Sequence, residues 1–185
     1  MNNDDFLIDR TIQGDRDAFG RLVSQYQERL FNTMFRFTGN AEDTYDVVQE
    51  TFFQAFLHLN TFRKSSKFYT WVYRIAFNVA MGIKRKKKAV SIFNKEGDLT
   101  GGYLETSPPR PDDILIVEEN IELVKWAIGR LEEEFRSVIV LREIEDFSYE
   151  EISEILDIPI GTVRSRLHRA RGILKEILLR KIQAE

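Results

Sequence analysis

The chain has 185 residues, 43% hydrophobic and 31% charged, enough for a buried core and a charged surface in one domain or two small ones. Its net charge of −3 excludes a uniformly basic nucleic-acid coat, so any basic surface is local. It has no cysteine, only two histidines far apart (His58 and His168), and no dinucleotide fingerprint or phosphate loop among its glycines; disulfides, thiolate chemistry and histidine-paired metal helices are excluded, and an enzyme is disfavoured.

The start, Met1 to Arg10, is acidic and polar and does not read as a signal peptide. No apolar run approaches the roughly 18 residues that span a bilayer. Gly and Pro are sparse from Asp15 to Lys88 and from Asp113 to Asp157, and helical spacing runs through both stretches. The predicted fold is all-α: two small helical domains, residues 1–93 and 113–185, joined by a flexible linker. That linker, 94–112, reads NKEGDLTGGYLETSPPRPD and keeps no period of 3.6 or 2.

In the first domain, Phe19, Leu22, Val23, Tyr26, Leu30 and Met34 recur at helical spacing. Gly39-Asn40 stops that helix, and Asn40 or Asp43 can cap the next, about Ala41 to His58. At about 100° per residue, this second helix carries two stripes. Val48, Phe52, Phe56 and Leu59 form an apolar one, the predicted core. Asp46, Gln49, Glu50, Phe53 and Leu57 lie on nearly the opposite side. Their mixture of acids, an amide and apolar side chains is that of a protein-contact face, or Phe53 and Leu57 are covered by a neighbouring helix.

From Thr61 to Lys88, Phe62, Phe68, Tyr69, Trp71, Tyr73 and Phe77 are interleaved with Arg63, Lys64, Lys67 and Arg74, ending on the run Lys84 to Lys88. Aromatic faces stack on bases and cations neutralise phosphates, which is the composition of a single-strand binding surface. The alternative is that Trp71, Ile75 and Val79 are core and the basic run is a solvated helix end.

In the second domain, Ser148 to Glu151 is a capping box opening a short helix with Ile152, Ile155 and Leu156 inward. Asp157-Ile158-Pro159 breaks it, and Pro159 suits the first turn of the next. Val163, Leu167, Ala170 and Leu174 form that helix's inner face, so the pair reads as a helix-turn-helix. The second helix exposes Arg164, Ser165, Arg166, His168, Arg169 and Arg171, with no acid between Pro159 and Lys175. Arginine forks match guanine edges and hold phosphates.

At these residues the chain resembles the sigma-70 superfamily, in particular the extracytoplasmic-function sigma factors of the envelope-stress branch. FGRLVSQYQERLFNTMFRFTGN and DVVQETFFQAFLHLNTF are similar to its core-binding region 2, FYTWVYRIAFN to its melting segment, and LREIEDFSYEEISEILDIPIGTVRSRLHRARGIL to its region 4. The resemblance implies a cytoplasmic, non-catalytic initiation factor that binds core RNA polymerase and directs it to promoters. Asp46, Gln49, Glu50, Phe53 and Leu57 would dock on the clamp helices of the polymerase's largest subunit. Arg63, Lys64, Ser65, Ser66, Lys67, Phe68, Trp71 and Asn78 would handle the −10 strand. Thr162, Arg164, Ser165, Arg166, His168 and Arg169 would read the −35 element. The implied partners are core polymerase, promoter DNA and an anti-sigma factor, membrane-bound or free; no metal, cofactor or small-molecule substrate is implied. Two departures bear on −10 preference. The loop reads Arg63-Lys64-Ser65-Ser66-Lys67 where a small acidic pair is usual, and Gly82 stands where an acid or amide is common.

Two rival readings fit the residues less well. A response-regulator-type activator with a helix-turn-helix needs an α/β receiver, and the first half has no strand signal. A site-specific recombinase needs a nucleophile among clustered arginines, and none is present.

Overall fold

A short polar side chain at a helix start accepts otherwise orphaned N–H groups, and a left-handed residue at its end closes the last turn. Both devices delimit the first helices here. The computed structural model describes residues 3–93 and 122–183. Contacts divide the chain into two units. The predicted linker, 94–112, lies outside the described residues.

The first unit is built from α1 (Asn3–Ile12), α2 (Arg16–Thr38), α3 (Ala41–His58), a 3-10 turn (Leu59–Thr61) and α4 (Phe68–Phe93). Asp15 caps α2, accepting from the Asp17 and Ala18 N–H groups; chiefly the Ala18 bond holds its carboxyl below the usual range. Gly39, at φ +74°, ends α2 with its N–H on the Phe35 carbonyl. Asn40 then caps α3 through the Asp43 N–H at 3.0 Å, so of the two predicted caps Asn40 serves.

α1 is a helix that the acidic start did not announce. Leu7 and Ile8 pack inward. Its one buried acid, Asp4, accepts from the Gln25 amide at 3.1 Å and from the Tyr26 hydroxyl. Burial, with this bond, pushes the Tyr26 hydroxyl well above its ordinary value.

Leu22, Leu30, Met34 and Phe37 of α2 meet Val47, Phe52 and Ala55 of α3 and Val72, Ala76 and Phe77 of α4. Each fully buried side chain of this size contributes about 1.5–3 kcal/mol relative to exposure. Thr33 and Tyr73 share a buried hydrogen bond of 2.9 Å, which satisfies two polar groups that would otherwise cost stability. The buried faces differ from the predicted ones. In α3 the core side is Thr44, Val47, Thr51 and Ala55 with Phe52, while Val48 is half-buried and Phe56 is 41% exposed. In α4, Trp71, Ile75 and Val79 are only half-buried; the core side is Phe68, Val72, Tyr73, Ala76, Phe77 and Ala80. Each apolar stripe was wide, and the neighbouring helices selected which edge of it to cover. No strand occurs among the described residues, so the α/β receiver of the activator rival is absent from them.

The remaining described elements are α5 (122–129), α6 (Glu133–Ile139), a π-helical turn (Val140–Ile144), α7 (Tyr149–Leu156) and α8 (Ile160–Gln183). The Arg136 guanidinium holds the α5–α6 corner, donating to the Leu131 carbonyl at 2.8 Å and to that of Gly129. The capping box at α7 is reciprocal: the Ser148 N–H donates to Glu151 at 2.9 Å, and the Glu151 N–H to Ser148 Oγ at 3.1 Å. α7 ends on Asp157 in the left-handed region at φ +52°. The Ile158 N–H reaches back to the Ser153 carbonyl at 3.2 Å, and Ser153 Oγ donates to the Ile158 carbonyl at 2.6 Å. Pro159 supplies the carbonyl that accepts the first N–H bonds of α8, from Thr162 and Val163. The tight turn between α7 and α8 is therefore closed from both sides.

Candidate nucleic-acid interface

Three exposed surfaces rest on these elements. On α3, Asp46, Gln49 and Glu50 are exposed, Phe53 is 57% exposed and Leu57 is 54% exposed. They lie opposite the Val47–Thr51–Ala55 side, so no helix of the unit covers them. The same side extends to two residues the sequence reading placed elsewhere or passed over. Phe56, expected in the core, is exposed, and Tyr45 is 65% exposed with its ring 4.7 Å from that of Phe31. Large apolar side chains gathered on one open face mark a partner surface. At about 100° per residue Tyr45 falls between Phe52 and Phe56, on the edge of the apolar stripe nearest the polar one.

The second surface comprises the 62–67 loop and the start of α4. Arg63, Lys64, Ser65 and Lys67 are exposed and Ser66 is half-buried. Phe68 is a correction: at 3% exposure it is a core residue, packed against Phe62 at 5.8 Å and Tyr26 at 5.7 Å, and presents no face to a base. Tyr73 and Phe77 are likewise buried rather than stacking platforms. Trp71 is half-buried, its ring 5.3 Å from Phe62 and 5.9 Å from Phe68, so it is braced from below. Asn78, two turns further, is exposed. Lys64 has φ +54°, a left-handed conformation that costs a non-glycine residue roughly 1 kcal/mol; its ammonium meets Asp9 of α1 at 2.7 Å.

The basic run after α4's midpoint is partly committed within the fold. Lys84 donates to the Phe37 carbonyl at 3.3 Å and lies over the Phe37 ring, and Lys87 pairs with Asp43. Arg85 and Lys86 are exposed. The side chain of Lys88 is outside the described residues.

The third surface is α8. Val163, Leu167 and Ala170 are buried, and Leu174 is half-buried. Gly161, Arg164, Ser165, His168, Arg169 and Gly172 are exposed. Thr162 is half-buried in the first turn, its carbonyl accepting from Ser165 Oγ at 3.1 Å. Two arginines of the acid-free face are engaged from outside it. Arg166, expected opposite the core, lies on the flank, half-buried and paired with Glu134 of α6 at 2.7 Å. Arg171 makes two bonds to Glu143, at 3.0 and 2.6 Å, and that hydrogen bonding raises its pKa further. Arg164 and Arg169 are exposed, and no such carboxylate is bonded to them among the described residues. No group of histidine and acidic side chains among the described residues could hold a metal ion. No helix among them is long and apolar enough to cross a membrane.

Comparison with known proteins adds the following. Residues 22–90 match the family described as Sigma-70 region 2, and residues 122–174 match Sigma-70, region 4. The ECF RNA polymerase sigma-E factor of Escherichia coli strain K12 is 40% identical over 174 residues, 91% of this chain and 90% of that protein. The ECF RNA polymerase sigma factor SigW of Bacillus subtilis strain 168 is 34% identical over 176 residues, 92% of this chain and 94% of that one. Among solved structures, the sigma factor RpoE of Bartonella quintana, in complex with the anti-sigma factor NepR, is 25% identical with a TM-score of 0.69, covering 86% of this chain and 96% of that one.

Proposed function

Because this chain belongs to the extracytoplasmic-function sigma factors of the sigma-70 family, and so directs RNA polymerase to promoters, we infer that its three exposed surfaces divide that work. The α3 face of Asp46, Gln49, Glu50, Phe53 and Leu57, joined by Tyr45 and Phe56, meets the clamp helices of the polymerase's largest subunit. Its apolar side chains supply the buried centre of that contact and its acids and amide the rim. Arg63, Ser65, Ser66, Lys67, Trp71 and Asn78 take the −10 strand, the cations on phosphates and Asn78 on an extruded base. Arg164, Ser165, His168 and Arg169, with Thr162 at the helix start, enter the −35 major groove. Residues 1–93 and 113–185 are the two functional domains, with 94–112 between them. The 19 residues of 94–112, at up to ~3.3 Å each, span at most about 63 Å, just above the ~58 Å between elements roughly 17 base pairs apart.

The chain performs no reaction of its own; polymerase does the chemistry, in the cytoplasm. An anti-sigma factor, membrane-bound or free, is its regulator, a reading supported by the anti-sigma complex of the Bartonella quintana relative. The observation that carries the whole is the exposed, acid-free face of α8 standing on the turn closed by Ser153, Ile158 and Pro159. The test is transcription in vitro with core polymerase on a genomic library, reading start sites. Start sites sharing one −35 and one −10 element, lost when Arg169 is replaced by alanine, are expected. Scattered starts, or starts unchanged by R169A, would overturn the reading.

A further inference from the structure

α1 lies outside the residues that match region 2, which begin at 22. It is nevertheless firmly attached. Leu7 and Ile8 are buried, Asp4 is clamped by Gln25 and Tyr26, and Thr11 Oγ donates to the Leu7 carbonyl at 2.8 Å. Its inner side also touches the 3-10 turn Leu59–Thr61, which leads directly into the 62–67 loop. From this fixed helix Asp9 reaches the loop, its Oδ1 accepting from Lys64 Nζ at 2.7 Å. Lys64 is the only residue of that loop with positive φ. A lysine gains nothing from a left-handed backbone by itself, and the contact that accompanies this conformation is the Asp9 carboxylate.

We propose that Lys64 is a positioning residue rather than a phosphate ligand: Asp9 of α1 holds its ammonium, and the pair fixes the turn from which Arg63, Ser65 and Ser66 meet the −10 strand. α1 thereby becomes part of the promoter-opening apparatus, as a brace. This rests on the assignment of the 62–67 loop to the −10 strand. A preset loop avoids the entropy of ordering at the moment of strand capture. An exposed cation free to bind phosphate would instead add to the salt dependence of binding.

The test uses full-length protein in holoenzyme, with D9N, K64M, the double variant, K64R and R63A. Opening is read by permanganate reactivity at −10, and promoter affinity is measured across a salt series. D9N and K64M are each expected to lower opening about two- to fivefold, as loss of one partly exposed pair allows. The double variant should be no worse than either single one, K64R close to the parent, and the salt slope unchanged in the Asp9 and Lys64 variants. A K64M slope lower by about one unit, with D9N unchanged or steeper, makes Lys64 a phosphate ligand and overturns the proposal. Additive losses in the double variant also overturn it, as does normal opening in D9N and K64M while R63A is impaired. Normal opening in R63A removes the −10 assignment itself, and the proposal with it.

Discussion

Arg166 and Arg169 stand one turn apart on α8, and the sequence offers no reason to treat them differently. The structure does. Arg166 is half-buried on the flank and bonded to Glu134; Arg169 is exposed beyond the Val163–Leu167–Ala170 side. Replacing Arg169 with alanine in the holoenzyme should therefore cost promoter affinity about 1–3 kcal/mol, roughly 5- to 150-fold, and relax preference at one −35 position. Replacing Arg166 with methionine should cost mainly folding stability. A partly exposed pair is worth up to about 1 kcal/mol, which for a domain this small lowers Tm by about 4–8 °C. Glu134→Gln should lower Tm by a similar amount, and the R166M/E134Q double variant should be little worse than either single one, since both remove one interaction. The assays are selection of −35 variants with each holoenzyme and thermal melting followed by circular dichroism. If R166M shifts −35 preference while R169A leaves preference and affinity intact, the division of roles is refuted. Equal effects of R166M and R169A on affinity, with no change in Tm, would refute it as well.

Replacing Phe53 and Leu57 together with serine should weaken competition for core polymerase by at least tenfold without lowering Tm, because each loses about 1 kcal/mol or more of apolar burial in the complex and neither side chain is in the core; unchanged competition would remove α3 from the contact. Asn78→Ala should impair opening in a permanganate footprint more than closed-complex binding in a gel shift, since repaying base extrusion costs a few kcal/mol; equal losses would contradict the assignment. For Tyr26, whose pKa is raised above its ordinary value of 10.0, the unfolded chain releases the proton first as pH rises. Its contribution is therefore whole below pH about 10 and falls above it. A plot of Tm against pH from 8 to 11 should descend more steeply for the parent than for Y26F, and parallel curves would refute this. Y26F should also start lower, since it leaves an acceptor of the buried Asp4 without its donor.

Features decided within a few residues were legible. The Asn40 cap, the Gly39 stop, the Ser148–Glu151 box and the Asp157–Pro159 break all act through backbone groups no more than five residues away. The motifs for both regions were legible for the same reason: their residues are close in sequence and their order is linear. α3's second stripe could also be drawn, because Phe53 and Leu57 share an angular sector with Asp46, Gln49 and Glu50, but that it is exposed came only from the packing.

The amino-acid sequence by itself thus determined that the chain is helical, where α2 stops and α3 begins, where α7 starts and breaks into α8, and that a basic face rides on a helix-turn-helix. Only the tertiary structure decided which edge of each apolar stripe is buried. Phe52 and Phe56 lie on one predicted stripe, yet Phe52 is core and Phe56 is open, and Phe68 moved from a predicted strand contact to the interior. It also decided which cations are paired within the fold. Lys64, Lys87, Arg166 and Arg171 are taken by Asp9, Asp43, Glu134 and Glu143, partners far along the chain or on another element. Periodicity specifies a direction around one helix axis. Burial and ion pairing depend on what stands in that direction, and only the packing of the other helices supplies it.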